Sequence, residues 1–377
     1  MLLNWTRIAI EFTLSAAITL LLLWLLQPLA RKLGLLDRPD ARKDHAEPTA
    51  TTGGLAMVVG IFLPLMWFTS ASPAILSYMA AATLLVVVGL LDDRYDLHWW
   101  VRALAQCTAV MVMIYGGGVR IEHIGIVFGA GPTSLGSLSV PFTIFATVGV
   151  INALNMSDGV DGLAGSISLA ALGMLAIAAL YCGNVSEAEQ LLIFAGAVLG
   201  FLLLNMRFPW QPYARVFMGN AGSSFLGFTI AWATFRLTQN QGHPVTPILA
   251  PWLIATPLID CVALIVRRLY HRQSPFRADR EHMHHLMLDA GFTPAQVAVS
   301  LTGINLLLGL AAAIALKMKV PQPALVLAFV AICLWYFWLS AQRARAVGLF
   351  SRLNRVLTRA HLKSEAALLP SAPGSEN

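Results

Sequence analysis

Apolar stretches of about 20 residues recur along this chain with only short polar breaks between them, and each is long enough to cross a bilayer as a helix. Hydrophobic residues make up 57% of the 377 residues and charged residues only 12%, which is too little polar surface for a water-soluble domain. We therefore predict an all-α polytopic membrane protein with about eleven transmembrane helices. The predicted helices cover residues 8–30, 55–71, 74–91, 102–116, 141–156, 163–182, 190–206, 221–238, 247–266, 296–316 and 322–341.

The basic residues predict the orientation of these helices, because Lys and Arg collect in cytoplasmic loops. If the N-terminus lies outside, 20 of the 25 Lys and Arg residues fall on the inner side. We therefore place the N-terminus outside and the C-terminus in the cytoplasm. A net charge of +6 is what this topology produces, so it does not indicate a nucleic-acid partner.

Two segments outside the predicted helices have a character of their own. The Gly-rich loop at 116–140 carries short alternating runs, which predict a small periplasmic hairpin. The arginines after residue 342 are spaced as on an amphipathic surface helix, and the chain then ends in Pro, Ser and Gly, which predicts a disordered tail. The sequence thus divides into an integral membrane domain, 1–341, and a cytoplasmic basic segment with a disordered tail, 342–377.

Most acidic residues and nearly all unusual polar residues fall on the predicted cytoplasmic face, in five segments: 37–54, 92–102, 152–162, 207–224 and 267–289. We expect these five inner segments to converge. Asp92 and Asp93 end the third predicted helix. Adjacent side chains on a helix point about 100° apart, so both carboxylates can face the same site only if the helix ends at this pair. Solvated helix caps are the alternative explanation for the pair.

The segment Asn152-Ala-Leu-Asn155-Met-Ser-Asp158-Gly-Val-Asp161 brings amides and carboxylates to the end of an apolar helix. A spacing of three stacks Asp158 and Asp161 on one face of any helical continuation. The segment lacks the alternating oxygen ligands of an EF-hand calcium loop. It therefore favours binding of a ligand or a metal ion over simple solvation of a loop.

The other inner segments carry groups that suit phosphate. Phe217-Met-Gly-Asn220-Ala-Gly-Ser-Ser opens a helix with small residues, so that backbone N–H groups could face an anion, with helix packing as the alternative. The longest inner loop carries several arginines followed by His282-Met-His284-His285. Phosphate suits these donors better than zinc does, because the arginines would repel a dication.

A polar cluster of this composition suits a diphosphate with magnesium, since Mg²⁺ prefers a few oxygen ligands together with substrate phosphates. Phosphoryl-type transfer depends mainly on positioning and charge neutralisation, which such a cluster supplies. A site at the bilayer surface also implies an amphiphilic acceptor. A membrane transporter is the alternative from another class, but it predicts inverted repeats and polar residues halfway through helices, and the sequence indicates neither. For Asp260, seven residues before Arg267, pairing with an arginine and a functional role both stay open.

Taken together, these motifs resemble those of the polyprenyl-phosphate N-acetylhexosamine-1-phosphate transferases, most closely the bacterial WecA type. The resemblance runs from Leu35 to the last predicted helix. It rests on Leu-Leu-Asp92-Asp93-Arg, Asn152-Ala-Leu-Asn155-Met-Ser-Asp158-Gly-Val-Asp161-Gly-Leu, Phe-Met-Gly-Asn220-Ala-Gly-Ser, Arg267-Arg268, and Ser274-Pro-Phe with His282-Met-His284-His285.

The resemblance implies a helical multi-pass protein of the bacterial inner membrane with a cytoplasmic active site. It also implies transfer of N-acetylglucosamine 1-phosphate from UDP-N-acetylglucosamine to undecaprenyl phosphate, with release of UMP, at the start of O-antigen or enterobacterial common antigen assembly. Membrane lipid is an expected partner, and so is a second copy in a homodimer. The same reaction with N-acetylgalactosamine, N-acetylfucosamine or a muramoyl-peptide donor is the alternative, although the His-x-His-His form favours a simple sugar by resemblance.

Roles for individual residues are implied in the same way. Asp92 and Asp93 would be the catalytic pair that positions or deprotonates the lipid phosphate. Asn155 and Asn220 would hold Mg²⁺, or Mn²⁺ in its place. The first inner loop, from Lys43 to Gly54, would close over the nucleotide. Asp158 and Asp161 would orient the nucleotide-sugar, and Phe217 would flank the uracil. The diphosphate and the sugar would be held by Arg268 together with His282, His284 and His285.

Two positions depart from the family pattern. The magnesium motif of the family reads Met-Gly-Asp, whereas this chain has Asn220, which keeps one oxygen ligand but lacks a full negative charge beside a dication. This change predicts a weakened or inactive enzyme unless neighbouring carboxylates compensate. Trp100 stands where many members carry lysine, which removes one phosphate contact.

Overall fold

A computed structural model of the protein describes residues 4–37, 48–128, 131–239, 245–274 and 280–368, with side chains described up to residue 356. A two-stranded antiparallel sheet joins β1 (Leu36–Asp37) to β2 (Thr49–Ala50). The helices in these ranges are α1 (Trp5–Leu33), α2 (Gly53–Phe68), α3 (Pro73–Tyr95), α4 (Trp99–Gly117), α5 (Ser139–Ser157), α6 (Leu163–Tyr181), α7 (Val185–Asn205), α8 (Gly219–Gln239), α9 (Ala250–Leu253), α10 (Ala255–Tyr270), α11 (Met283–Asp289), α12 (Pro294–Lys317), α13 (Gln322–Ser340) and α14 (Arg343–Leu368).

Each predicted membrane segment coincides with a helix, or in the case of 247–266 with α9 and α10, which meet at a bend of 84°. Among the described helices, seven are long and apolar enough to cross a membrane, or eight if the bent pair counts as one span. Helix α2 is apolar but only 16 residues long. The all-α polytopic class is therefore confirmed, whereas the number of eleven spans and the orientation stay predictions.

Local sequence signals explain where several helices begin. Ser72 caps α3 by accepting from the backbone N–H of Ile75, and Pro73 occupies the first helical position, where its missing N–H costs nothing. Thr293 and Gln296 form a reciprocal capping box at the start of α12. Polar caps between apolar runs thus set the helix boundaries.

An aromatic cluster holds the middle of the bundle together where α3, α7 and α8 meet. The ring of Tyr78 stacks on Phe194 and Phe228 and lies 4.5 Å from the ring centroid of Trp232, and all four side chains are buried. Aromatic pairs of this kind each add about 1 kcal/mol beyond the burial of their surface.

Three buried acidic residues at the end of the bundle opposite to the predicted site residues, Glu11, Glu187 and Glu189, each lie beside an arginine. Arg7 Nε lies 2.6 Å from Glu11 Oε1, and Arg236 Nη2 lies 2.8 Å from Glu187 Oε2. The first pair lies within α1, whose Arg7 also reaches Glu189 Oε2 of α7 at 3.6 Å, and the second pair links α8 to α7.

The predicted hairpin at 116–140 is present as an antiparallel backbone pairing. Ile124 N donates to Thr133 O at 3.1 Å, and Thr133 N donates to Gly125 O at 2.8 Å. The predicted basic surface helix is α14, although its contact with membrane stays a prediction. The predicted disorder of the last nine residues lies outside the described residues, as do residues 43–47 of the loop from Lys43 to Gly54 and the Pro-Phe of the Ser274 motif.

Candidate active site

The five inner segments converge on one cavity of about 570 Å³, and each of them contributes to its lining. The cavity lies where α3, α5 and α7 end and where α6 and α8 begin. The structure thus confirms the predicted convergence. The predicted site residues that line the cavity are Asp92, Asp93, Asn155, Asp158, Asp161, Phe217, Asn220 and His285.

Asp93 is held against the first turn of α8. Its Oδ1 accepts from the backbone N–H of Asn220 at 2.8 Å and its Oδ2 from that of Ala221 at 3.5 Å. Gly219 has φ +71°, and a Cβ at this position would lie closer than 3.0 Å to Asp93 Oδ2, so only glycine fits. The anion that these N–H groups face is therefore the carboxylate of Asp93, which also matches the positive end of the helix dipole.

Asp92 faces a different element from its neighbour. It is buried, and its carboxylate accepts from the backbone N–H of Leu97 at 2.9 Å and from Arg102 Nη1 of α4 at 3.2 Å. Helix α3 ends at Tyr95, with Asp96 in the left-handed region at φ 51°. Both carboxylates line the cavity because the helix ends beside them, but α4 holds one and α8 holds the other.

The loop after α5 carries the second pair of carboxylates. The helix does not continue to Asp158 and Asp161, because α5 ends at Ser157 and the residues that follow form turns, so the stacking expected of a helical continuation does not arise. Asp161 accepts from Arg207 Nε at 2.6 Å. Asn205 ties the loop down, since its side chain accepts from Gly162 N and donates to Val216 O, each at 2.9 Å.

The two predicted metal-binding amides touch each other. Asn155 Nδ2 donates to Asn220 Oδ1 at 2.9 Å and to Ser223 Oγ at 2.8 Å. Asn155 Oδ1 and a second lone pair on Asn220 Oδ1 remain as possible oxygen ligands. Phe217 is set at the rim by backbone pairing, since its N–H donates to Ala50 O at 2.8 Å and its carbonyl accepts from Gly53 N at 3.0 Å.

The cavity is negatively charged. Six carboxylates line it, from Asp37, Asp92, Asp93, Asp96, Asp158 and Asp161, against two guanidiniums, from Arg94 and Arg207. The resulting formal charge is −4, before any histidine is counted. Burial, followed by the charges of Asp93 and Asp161, raises the pKa of Asp158 well above its ordinary value. A cavity of this kind binds an anionic ligand only when cations accompany that ligand.

Three predicted substrate-binding residues do not line this cavity. Arg268 is buried beside a separate cavity of about 280 Å³, together with Arg267, His271 and Arg343. His282 Nδ1 lies 2.9 Å from Asp260 Oδ2, and His284 is buried behind the Asp158 loop. Of the two interpretations left open for Asp260, the described residues show a pairing with a histidine and not with an arginine.

Several lining residues were missed by the sequence analysis. Asp96 lies on the rim, and its signal is its position three residues after Asp93, which makes an Asp-Asp-x-x-Asp pattern. Asn205 and Arg207 lie at the inner end of α7, where polar residues close an apolar run. Asp37 reaches the cavity from β1, for which the sequence carries no strong strand signal.

Comparison with known proteins agrees with this geometry. Residues 75–238 match the glycosyl transferase family 4 profile. The chain is 34% identical over 339 residues to the undecaprenyl-phosphate alpha-N-acetylglucosaminyl 1-phosphate transferase of Yersinia pestis. This alignment covers 90% of the present chain and 93% of the Yersinia protein. The chain is 37% identical over 284 residues to the protein of the same name from Escherichia coli O157:H7, covering 75% and 77%, and 35% identical over 294 residues to that of Haemophilus influenzae, covering 78% and 81%. The profile match and the similarity to the Yersinia protein over nearly its full length establish that the chain belongs to glycosyl transferase family 4 and is a glycosyl-1-phosphate transferase.

Proposed function

We propose that the protein transfers N-acetylglucosamine 1-phosphate from UDP-N-acetylglucosamine to undecaprenyl phosphate and releases UMP. The observation that carries this proposal is the convergence of five separate polar segments on one cavity at one end of a membrane bundle. The printed names of the bacterial relatives support this substrate pair. The excess of basic residues at the same end supports a cytoplasmic active site in the inner membrane.

The charge of the cavity fits a divalent cation. Both substrates are anionic, and a cavity with a formal charge of −4 would repel them. Mg²⁺, or Mn²⁺ in its place, would be held by Asn155 and Asn220, with the half-buried carboxylate of Asp158 supplying the charge that Asn220 lacks. When bound, the ion would neutralise the diphosphate of the donor.

In the proposed reaction, an oxygen of the lipid phosphate attacks the β-phosphorus of the donor. The bond between this phosphorus and the oxygen that bridges to the α-phosphate breaks, and UMP leaves with that oxygen. Asp92 and Asp93 position the lipid phosphate and accept its proton if it arrives protonated. Each is already fixed, by Arg102 and by the first turn of α8, so little rearrangement is needed when the acceptor arrives.

The donor lies along the other wall of the cavity in this proposal. The pairing of Asp161 with Arg207 keeps both side chains in place beside the nucleotide-sugar. Phe217, fixed by its backbone pairing with Ala50, flanks the uracil, and His285 contacts the diphosphate or the sugar. Arg268 acts on the substrate only if it moves from the separate cavity that it lines. The homodimer stays a prediction.

Purified protein incubated with undecaprenyl phosphate, Mg²⁺ and a panel of radiolabelled UDP-sugars tests the proposal. We expect label from UDP-N-acetylglucosamine in the lipid phase, with release of UMP, and loss of both in Asp93→Ala. Glu122→Gln, in the outer loop, serves as a charge-matched control that keeps activity. Release of UDP, or label only from another UDP-sugar, would refute the reaction or the donor respectively, and absence of any lipid label would refute the function.

A further inference from the structure

A buried carboxylate ties the histidine cluster to the membrane helices. Asp260 of α10 accepts from the backbone N–H of Met283 at 2.9 Å and from the hydroxyl of Tyr336 on α13 at 2.7 Å. Its other oxygen lies 2.9 Å from His282 Nδ1. Asp260, His282 and Tyr336 are all more than nine-tenths buried. Three partners therefore satisfy one buried carboxylate and fix the first residues of α11 against α10 and α13.

The contact continues from His282 to the catalytic cavity. The rings of His282 and His284 are stacked, with centroids 5.4 Å apart and planes within 10°. His284 is buried, and its Nε2 lies so near Gly159 that a Cβ on Gly159 would come closer than 3.0 Å. Gly159 lies between Val160 and Asp158 in the loop that lines the cavity. The imidazole of His284 thus packs against the loop at Gly159, and it does not itself line the cavity.

We propose that Asp260, Tyr336 and His282 act as positioning residues that, through His284, hold the loop from Asp158 to Asp161 at its place in the active site. This inference rests on the proposed transferase function. None of these four side chains lines the cavity itself, so they act through the loop and not on the substrates. His285, the next residue, is the one histidine of the cluster that reaches the cavity wall.

The protonation state of His284 agrees with a packing role. Burial, followed by the positive charges of His285, His282 and Arg280, lowers the pKa of His284 well below its ordinary value. A neutral ring packs against a glycine backbone without a desolvation cost for charge, but it is a weak partner for a diphosphate.

Tyr336→Phe is the mildest test, because it removes one hydroxyl from the Asp260 carboxylate and keeps the ring. We expect kcat per folded molecule to fall about tenfold, since small displacements of catalytic groups have large effects on rate. The control is Tyr270→Phe, at an exposed tyrosine near the end of α10, which should leave kcat unchanged. A purely structural role would lower the midpoint of thermal unfolding and leave kcat of the folded fraction as in the wild type, and that result would overturn the proposal.

A double-mutant cycle tests the contact between His284 and the loop. Gly159→Ala alone and His284→Ala alone should each reduce kcat by about tenfold or more. In the combined variant the new methyl group occupies space left by the imidazole, so the loss should be no larger than that of the worse single variant. Losses that multiply would show that the two residues act independently and would overturn the proposal.

The proposed function and this inference fail in different ways. If the wild type transfers no label to undecaprenyl phosphate, the function is refuted. If the wild type is active and Tyr336→Phe matches it, the function stands and the positioning role is refuted. Thermal unfolding with and without UDP-N-acetylglucosamine shows which variants remain folded, and Tyr336→Leu provides a second change at the same position.

Discussion

Asn220→Asp should convert the weakest feature of the proposed metal site into a full carboxylate ligand. In the protein as it is, the Asn220 side chain accepts from Asn155, and the Asn220 backbone N–H donates to the Asp93 carboxylate. An aspartate at this position keeps the bond from Asn155 but places a second negative charge beside Asp93. The effect of the substitution therefore depends on whether a divalent cation is bound.

The geometry sets the size of the effect. Two unit charges about 4 Å apart repel by about 4 kcal/mol at an effective dielectric constant of about 20, so without metal the variant should be less stable than the wild type. With Mg²⁺ the repulsion is replaced by attraction between each carboxylate and the ion. A net gain of only about 1.4 kcal/mol in the transition state raises turnover tenfold. We expect a gain of this order or more, and a lower Mg²⁺ concentration for half-maximal activity.

Two assays measure this prediction. Transfer of labelled sugar phosphate to undecaprenyl phosphate is titrated with Mg²⁺, and thermal unfolding is followed in EDTA and in Mg²⁺. Asn220→Ala is the matched control, because it removes the amide without adding charge, and it should be less active than the wild type. Equal turnover and equal Mg²⁺ dependence of the wild type and Asn220→Asp would refute the assignment of position 220 to the metal.

Three further substitutions test the anchors around the cavity. Arg102→Ala removes one of the two donors to the buried Asp92 carboxylate and should lower the free energy of unfolding by only about 1 kcal/mol, because the Arg102 side chain is 41% exposed and solvent weakens the ion pair. Thermal unfolding measures this loss, with Arg120→Ala as the control. Gly219→Ala places a Cβ against Asp93 at a backbone φ of +71°, so we expect the free energy of unfolding to fall by about 1–2 kcal/mol and most transfer activity to be lost. Gly149→Ala, where the new Cβ meets no neighbouring atom, should retain transfer activity. The raised pKa of Asp158 means that the folded state takes up its proton more readily than the unfolded state does. In EDTA, stability should therefore fall as pH rises from about 4 toward the raised pKa, and Asp158→Asn should flatten this fall in unfolding curves recorded against pH.

The sequence predicted the parts of this protein that depend on local hydrophobicity. All eleven apolar segments coincide with helices or a bent helix pair, because an apolar run of sufficient length forms a helix in lipid whatever its neighbours are. The convergence of the inner segments could also be predicted, since alternating helices return polar ends to one side. The 84° bend between α9 and α10 was missed, although the sequence carries a signal for it, since Pro251 and Pro257 lie on either side of the break at Ile254.

Contacts between distant residues could not be predicted in the same way. Arg268 and His282 are the donor types that bind phosphate, yet one lines a second cavity and the other faces Asp260, which is 22 residues earlier in the chain. A motif gives the chemistry of a side chain but not the direction in which the fold turns it. Asp260 stood out in the sequence only as an acid in an apolar segment, and Tyr336 carried no signal. That the Asp260 carboxylate joins Tyr336 to the start of α11 is visible only in the folded structure.

The carboxylates of the cavity also show why loss of activity at a motif residue needs a structural control. Asp93 caps α8 through two backbone N–H groups, so removal of its side chain both deletes a proposed catalytic group and leaves the first turn of that helix unsatisfied. Asp93→Asn separates the two effects, because the amide keeps one oxygen for Asn220 N but carries no charge. If Asp93→Asn unfolds at the wild-type temperature and is as inactive as Asp93→Ala, the charge of Asp93 acts in the reaction. If Asp93→Asn keeps wild-type turnover, Asp93 is a helix cap and the lipid phosphate must depend on Asp92.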